Sequence, residues 1–317
     1  NCSGISNHSK NKNFYLQVKS QLEKHPVDKI VGFDKMPGLD FYYQGDTCYR
    51  ADTKDRSLFY KLTPRYRQFC SFEEAVFHKS GNTKILLLSK VLKPVFKHYY
   101  QTEEERFYLL PPGIAQSRKY TNHSPNARRN IRKLLGIDDA QFLLLQVGSD
   151  FKRKGVDRSL LAMASLSEDL RKRTFLCVIG QDDASRFQHL AKKLGISSHV
   201  FFLSGRDDVD QFIAASDLFL HPARSENTGT VILEALVGAL PQIVTENCGY
   251  SSYVKEADTG IVIPSSCEIN FLAQTLENAL EKPDQLIYWQ DRCKNYADSH
   301  DLYSLHKKAA EIILTES

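Results

Sequence analysis

The sequence predicts an α/β fold of two doubly wound, Rossmann-like domains facing across a cleft. Three observations carry this reading. The chain has 317 residues, more than one domain usually holds, so two are expected. Its second half alternates short apolar runs with amphipathic stretches, the pattern of parallel strands covered on both faces by helices. A polar stretch rich in Asn, Ser, Arg and Lys, Gln116–Arg129, follows Pro111-Pro112-Gly113 and reads as the linker between the halves.

Composition narrows the class. Hydrophobic residues make up 42% of the chain, enough for ordinary cores. A net charge of +4 gives no reason to expect nucleic acid. Seven scattered cysteines without a CxxC fit free thiols in a reducing cytoplasm. No apolar run approaches the roughly 18 residues of a membrane-spanning helix, and no secretory signal is visible. The opening, NCSGISNHSK, has neither an initiator Met nor a first strand, so the N-terminal domain is expected to be truncated.

In the first half, residues 11–24 carry Phe14, Leu16, Val18 and Leu22 and predict a helix that His25-Pro26 ends. Lys29–Phe33, Asp40–Gln44, Lys84–Ser89 and Arg106–Leu110 predict strands, with a helix over Val91–Tyr100. Between Lys54 and Phe69, five basic residues (Lys54, Arg56, Lys61, Arg65, Arg67) stand against one acid, Asp55. Thr63-Pro64 predicts an N-cap with Pro at the first helical position. Tyr66, Phe69, Phe72 and Val76 then share one helix face. Basic residues beside an aromatic stripe suit an anionic membrane surface. A core helix with a solvated, charged side fits the same pattern.

In the second half, strands are expected at Phe142–Val147, Thr174–Ile179, Val200–Leu203, Leu218–Leu220, Gln242–Thr245 and Ile261–Ile263. Helices are expected at Val156–Leu166, Ala184–Leu194, Val209–Ala215 and from near Thr228. The tail from Glu268 reads as all-helical.

Two loops carry the chemistry. Asp217–Ala235 (DLFLHPARSENTGTVILEA) holds Glu226 and Glu234 with seven residues between them. Glu234 falls in an apolar run, where a carboxylate is costly unless a partner meets it. Asn227, Thr228, Gly229 and Thr230 offer backbone N–H groups at a helix start, which suits an anion. Amides for phosphate and carboxylates for hydroxyls together suit a nucleotide-sugar. A solvated face for Glu234 and a helix-start charge for Glu226 fit this stretch equally well. The second loop, in LLLQVGSDFKRKGVDRSLLA (143–162), holds Gly148, Lys152, Arg153 and Lys154 beyond a strand end, where open parallel sheets bind ligands. Its cations suit a diphosphate, or simply a solvated loop. Both loops open on one edge of the sheet, and Ser204-Gly205-Arg206 opens there too, placed to wall a base pocket.

Several separated stretches then converge: VGFDKMPGLDFYY, LTPRYRQFCSFEEAVF, LLPPGI, LLLQVGSDFKRKGVDRS, SGRDDV, LFLHP, the Glu226/Glu234 pair and YADSHDLYSL. Over almost its whole length the chain resembles the retaining glycosyltransferases of GT-B architecture with a Glu–seven residues–Glu motif. Within them it resembles the branch that glucosylates the lipopolysaccharide core. The resemblance implies residues 1–113 as acceptor-binding domain, with a membrane-associating segment at about 50–79. It implies 114–290 as nucleotide-sugar domain, and 291–317 as a helical segment returning toward the first domain. Arg153 and Lys154 match its diphosphate pair, Glu234 its ribose carboxylate, and Glu226 its contact to the donor sugar, beside Gly148 and the amides of Asn227–Thr230. Arg206 matches a position near the uracil, and Lys35 and Asp46 match the acceptor side. Glu226 and Asp46 are the carboxylates expected at the reacting centre. Lys54, Arg56, Lys61, Arg65 and Arg67 match the membrane-associating region.

The implied reaction moves glucose from UDP-glucose to an inner-core heptose with retention, without metal or other cofactor. The implied place is peripheral, on the cytoplasmic face of the inner membrane, with no nucleic-acid partner. The family's opening strand, glycine-rich loop and helix are not in the sequence. A same-fold transferase with another nucleotide-sugar or lipid-linked acceptor remains open, as does a truncated, inactive nucleotide- or membrane-binding relative. A nucleotide-sugar epimerase would need TyrxxxLys with GxGxxG, which is lacking in a suitable place.

Overall fold

The structure, a computed structural model, describes Gly4 and residues 6–316. Most of the opening decapeptide's first half, Cys2 included, lies outside the described residues. The chain divides into two compact units: residues up to Pro111 together with those from Leu305, and Pro112–Ser304.

The first unit contains α1 (Asn7–Lys24), β1 (Val31–Gly32), β2 (Phe41–Tyr43), α2 (Tyr49–Asp52), α3 (Leu58–Lys61), α4 (Pro64–Phe77), β3 (Lys84–Leu87), α5 (Lys93–Tyr100), β4 (Phe107–Leu109) and a terminal helix, Leu305–Thr315. Its parallel sheet has the order β1-β2-β3-β4. β1 is shorter than expected because the N–H of Ile30 donates to the Asp40 carboxylate (2.7 Å). Alternation along β2 sends Tyr42 to one face and Phe41 to the other. Tyr42 joins Phe72, Val76, Phe77, Phe96 and Tyr100, with Phe77 and Phe96 stacked at 3.9 Å. Phe41 joins Leu86, Leu110, Leu305 and Ala309, so the terminal helix covers the second face. Lys29 Nζ donates to the Ile313 carbonyl (2.7 Å) and Tyr108 to the Glu316 carboxylate (2.8 Å), fastening that helix.

The second unit contains α6 (Ala127–Leu135), β5 (Phe142–Val147), α7 (Val156–Ala164), α8 (Glu168–Arg173), β6 (Thr174–Ile179), α9 (Ser185–Lys193), β7 (Val200–Leu203), α10 (Val209–Ala215), β8 (Leu218–His221), α11 (Thr230–Val237), β9 (Gln242–Thr245), α12 (Ser251–Ala257), β10 (Gly260–Ile263), α13 (Ile269–Leu280) and α14 (Pro283–Ser299). Its sheet runs β10-β9-β8-β5-β6-β7, all parallel. Leu143, Leu145 and Phe219 bury one face and Leu144, Leu176 and Leu218 the other. This two-sided burial explains why the strands are apolar without alternation. From β5 the order winds outward to β6 and β7 on one side and to β8, β9 and β10 on the other. β5 and β8 therefore flank the switch point, where crossovers diverge and a crevice opens at the strand carboxyl ends.

Two expectations need correction. Gln116–Arg129 is no free linker. Lys119 Nζ meets Asp298 (2.6 Å), Tyr120 donates to the same carboxylate (3.0 Å), and α6 already begins at Ala127. On α6, Arg132 is buried and ties to Asp217 (3.2 Å) and to the carbonyls of Asp138 and Gln141. The helix expected from near Thr228 starts at Thr230, after Gly229 in left-handed geometry (φ 76°).

Candidate active site

Two loops meet at the switch point of the second unit. After β5 the chain runs from Gly148 through Lys154 to α7, and after β8 from Pro222 through Gly229 to α11. Gly155 lets them touch. A Cβ there would stand 2.2 Å from the Pro222 carbonyl oxygen, and its φ of 73° disfavours other residues. The Arg224 N–H donates to the Arg153 carbonyl (2.7 Å), and the Arg224 guanidinium pairs with Asp157 (2.8 Å). The first loop also ties to the next strand's loop: the Phe151 N–H donates to Asp182 (2.7 Å) and the Gln181 N–H to Ser149 (3.2 Å).

This framework brings Arg153, Lys154 and Glu226 together. Lys154 Nζ is in direct contact with Glu226 Oε2, and Arg153 Nη1 lies 3.5 Å from that oxygen. Arg153 also binds Asp150 (3.0 Å) and the Ser225 carbonyl (2.9 Å). Lys154 is buried; burial and then the Arg153 charge pull its pKa down to about 8, against the opposing influence of Cys248 and Asp150. Beneath them His221, wholly buried at the end of β8, stands 3.8 Å from Glu226 Oε2. Burial, then Lys154 and Arg153, push its pKa down to about 3, so the ring is neutral at physiological pH.

The backbone around Glu226 is held by the loop after β9. The Gly249 N–H donates to the Glu226 carbonyl (3.2 Å) and the Tyr250 N–H to the Thr228 carbonyl (2.7 Å). The early N–H groups of α11, Thr230 among them, have no acceptor within their own helix. Asn227, Thr228 and Gly229 thus sit in a braced turn between the Glu226 carboxylate and those amides.

The other expected donor residues form separate groups. Glu234, on α11, faces Arg118: Arg118 Nε is 4.0 Å from it, and Arg118 Nη1 is 3.3 Å from Asp210. Burial raises the pKa of Glu234, and Arg118 opposes that rise. Arg206 is bound by Asp208 through two bonds (2.7 and 2.8 Å) and lies over the Phe212 ring at 4.9 Å.

In the first unit, Asp34 and Lys35 follow β1, and Asp46 and Thr47 follow β2, at the carboxyl edge of that sheet. They line a cavity of about 270 Å³ with Asn11, Tyr49, Asp52, Arg65, Phe69 and Phe72. Lys35 Nζ donates to Glu73 and to the Thr47 carbonyl, both at 2.6 Å. Glu73 is fully buried. Burial pushes its pKa up, but Lys35 and the surrounding donors more than reverse this and hold it below the usual carboxylate range.

The basic segment departs from expectation in one respect. Its aromatic stripe faces inward: Phe72 and Val76 are buried, and Phe69 and Tyr66 pack on Tyr49 (5.2 and 6.1 Å). The apolar groups turned to solvent are instead Leu58 (79% exposed), Phe59 (85%) and Leu62 (60%), on and just after α3. In the same segment Lys54, Arg56, Arg65 and Arg67 are exposed and Lys61 is partly so, with Arg65 lying over the Phe69 ring. Among the described residues, no helix is long and apolar enough to cross a membrane.

Sequence reasoning missed His221, Arg118 and Glu73. A histidine ending an apolar strand was the signal for the first. Glu73, four residues after Phe69 and three before Val76, lies on the stripe it was not counted in. Arg118 was hidden in the supposed linker.

Known proteins align with this arrangement. The model of the family "Glycosyl transferases group 1" matches residues 127–300. The lipopolysaccharide glucosyltransferase WaaG of Escherichia coli K12 is 47% identical over 309 residues, covering 97% of this chain and 83% of that protein. The crystal structure of WaaG, a glycosyltransferase involved in lipopolysaccharide biosynthesis, superimposes with a TM-score of 0.92 at 45% identity, over 100% of this chain and 86% of that one. Anabaena Alr3699/HepE in complex with UDP gives a TM-score of 0.74 at 17% identity, over 95% of this chain and 82% of its own, a likeness of fold alone.

Proposed function

The chain belongs to the group 1 glycosyl transferases, with two parallel-sheet α/β domains of GT-B type, and on that premise we propose that it moves glucose from UDP-glucose to an inner-core heptose of lipopolysaccharide, retaining the anomeric configuration. The observation that carries the donor half is the meeting of Arg153 and Lys154 with Glu226 at the switch point. The near full-length likeness to a lipopolysaccharide glucosyltransferase supports the acceptor.

Each group then has a role in this reading. Arg153, Lys154 and the amides of Asn227, Thr228, Gly229 and Thr230 neutralise the diphosphate, which takes over the cations that Glu226 now holds. Gly148 leaves room beside the sugar and phosphate. Glu226, once released, accepts hydroxyls of the glucose, and Glu234 accepts those of the ribose. Arg206 borders the uracil. Lys35 and Asp46 hold the heptose. In the transfer, the bond from the anomeric carbon to the acceptor oxygen forms on the face where the bond to the β-phosphate oxygen breaks. The acceptor hydroxyl proton passes to that phosphate oxygen. With leaving-group charge met by side-chain cations and amides, the reaction asks for no metal.

The acceptor is lipid-anchored, so the protein works at the cytoplasmic face of the inner membrane. Leu58, Phe59 and Leu62, in one segment with Lys54, Arg56, Lys61, Arg65 and Arg67, give a surface suited to reversible insertion among anionic headgroups.

The test incubates the protein with lipopolysaccharide ending at the unglucosylated heptose and with UDP-glucose, UDP-galactose or UDP-N-acetylglucosamine in turn. The acceptor should gain one hexose from UDP-glucose. No gain, or a gain only from another donor, would refute the assignment.

A further inference from the structure

Glu73 makes no contact with solvent, yet it organises a wall that does. Its side chain is fully buried. One oxygen accepts from Lys35 Nζ (2.6 Å) and from the Tyr49 N–H (2.8 Å). The other accepts from the Tyr100 hydroxyl (2.6 Å), the Arg50 N–H (3.1 Å) and the Cys48 thiol (3.3 Å). Such saturation lets a carboxylate stay ionised in a core.

The donors that Glu73 holds bear on the cavity at the carboxyl edge of the first unit's sheet. Lys35 and Tyr49 line it, and Thr47, whose carbonyl takes a second Lys35 hydrogen (2.6 Å), lines it too. An ammonium has three hydrogens; with two committed, the third is left for an occupant of the cavity. The remaining lining mixes Asp34, Asp46 and Asp52 with Arg65 and the rings of Phe69 and Phe72. That mixture suits a polyhydroxylated sugar: carboxylates accept hydroxyl hydrogens, cations donate, and rings cover C–H faces.

We propose that Glu73 is a positioning residue for the acceptor sugar, fixing Lys35 and the Thr47–Tyr49 wall in the geometry that binds it. The proposal rests on the glucosyl-transfer reading above and deepens its acceptor half. Glu73 does not touch the sugar; it acts through Lys35, which sets its effect apart from that of a residue that merely stabilises the fold. Neutralising Glu73 frees the ammonium to wander and weakens acceptor binding, while donor binding, in the other unit, is untouched.

A double-mutant cycle tests this on the full chain, with Glu73→Gln, Lys35→Met and both together, using UDP-glucose and heptose-terminated lipopolysaccharide. Each single variant should raise the acceptor KM by about tenfold, the scale of one charge-assisted hydrogen bond, with the KM for UDP-glucose unchanged. The double variant should be no worse than Lys35→Met, because Glu73 has nothing left to position. Lys35→Met leaves a buried carboxylate unpaired and risks misfolding. Lys35→Arg keeps the ion pair and the charge but changes the reach, and it should also raise the acceptor KM alone. Multiplying losses in the double variant, equal changes in both KM values, or an unchanged acceptor KM in Lys35→Arg would overturn the role of Glu73 while leaving the transferase reading standing. A wild type that transfers no sugar would overturn both.

Discussion

At the residue scale, three charged side chains meet at the switch point of the second unit. Glu226 shares one oxygen with Lys154 and Arg153, so the cations are satisfied until an anion displaces it. Arg153→Ala with Lys154→Ala should weaken UDP binding, measured by calorimetry, by up to about 1.5–3 kcal/mol per lost charged hydrogen bond. Glu226→Gln removes the internal competitor and should leave UDP affinity unchanged or improved while abolishing transfer. Glu234→Gln should weaken UDP itself. Equal losses of UDP affinity in the two variants would contradict the division of labour. The pH dependence has a defined sign. A lysine is charged below its pKa, so UDP affinity should fall as pH rises past about 8, through the depressed value of Lys154. Glu234 is ionised above its pKa, which burial raises. Affinity should therefore also fall in acid, at a higher pH than an ordinary glutamate would give. Calorimetry across pH checks both limbs. The sequence disclosed Arg153, Lys154 and Glu226 because they sit in loops bounded by strong strand and helix signals. Glu73 and Arg132 stayed hidden because a charged side chain reads as surface when its partners lie far along the chain.

At the scale of elements, the apolar strands were the most legible: β5, β6 and β9, largely buried, and the half-buried edge strand β7 coincide with the apolar runs that predicted them. Helices α6, α8 and α12 escaped because they are short and largely polar; Arg128 and Arg132 tie α6 to Asp217 far along the chain, a contact no local pattern shows. The late start of α11 follows from Gly229, whose left-handed backbone no apolar pattern encodes. Gly155→Ala should drive the two site loops apart, since its Cβ would meet the Pro222 carbonyl. A loss of about 1–3 kcal/mol in stability is expected, with a loss of UDP binding; thermal unfolding and calorimetry measure the two. The exposed group on α3 makes a separate prediction. Leu58→Ser with Phe59→Ser, or Lys61, Arg65 and Arg67 changed together to Gln, should release the protein from anionic vesicles and leave UDP affinity intact. Changing Phe72 or Val76, which face the core, should instead lower stability. Co-sedimentation that ignores both lipid charge and salt would count against the surface proposed here.

At the scale of the whole molecule, Arg153, Lys154 and Glu226, the groups proposed for the donor, lie in one unit and the cavity with Lys35 in the other. The second unit, expressed alone as residues 112–304, should bind UDP as the full chain does. The stretch from Leu305 completes the other unit's core, so its removal should unfold that unit first. The claim that joins the two halves is transfer with retention, and proton NMR of the reaction as it runs reads it most directly. UDP-glucose carries an α-linked sugar, and the first product to appear should be an α-glucoside of the terminal heptose. A β-glucoside, or UDP-glucose consumed with no new glycoside on the acceptor, would contradict it.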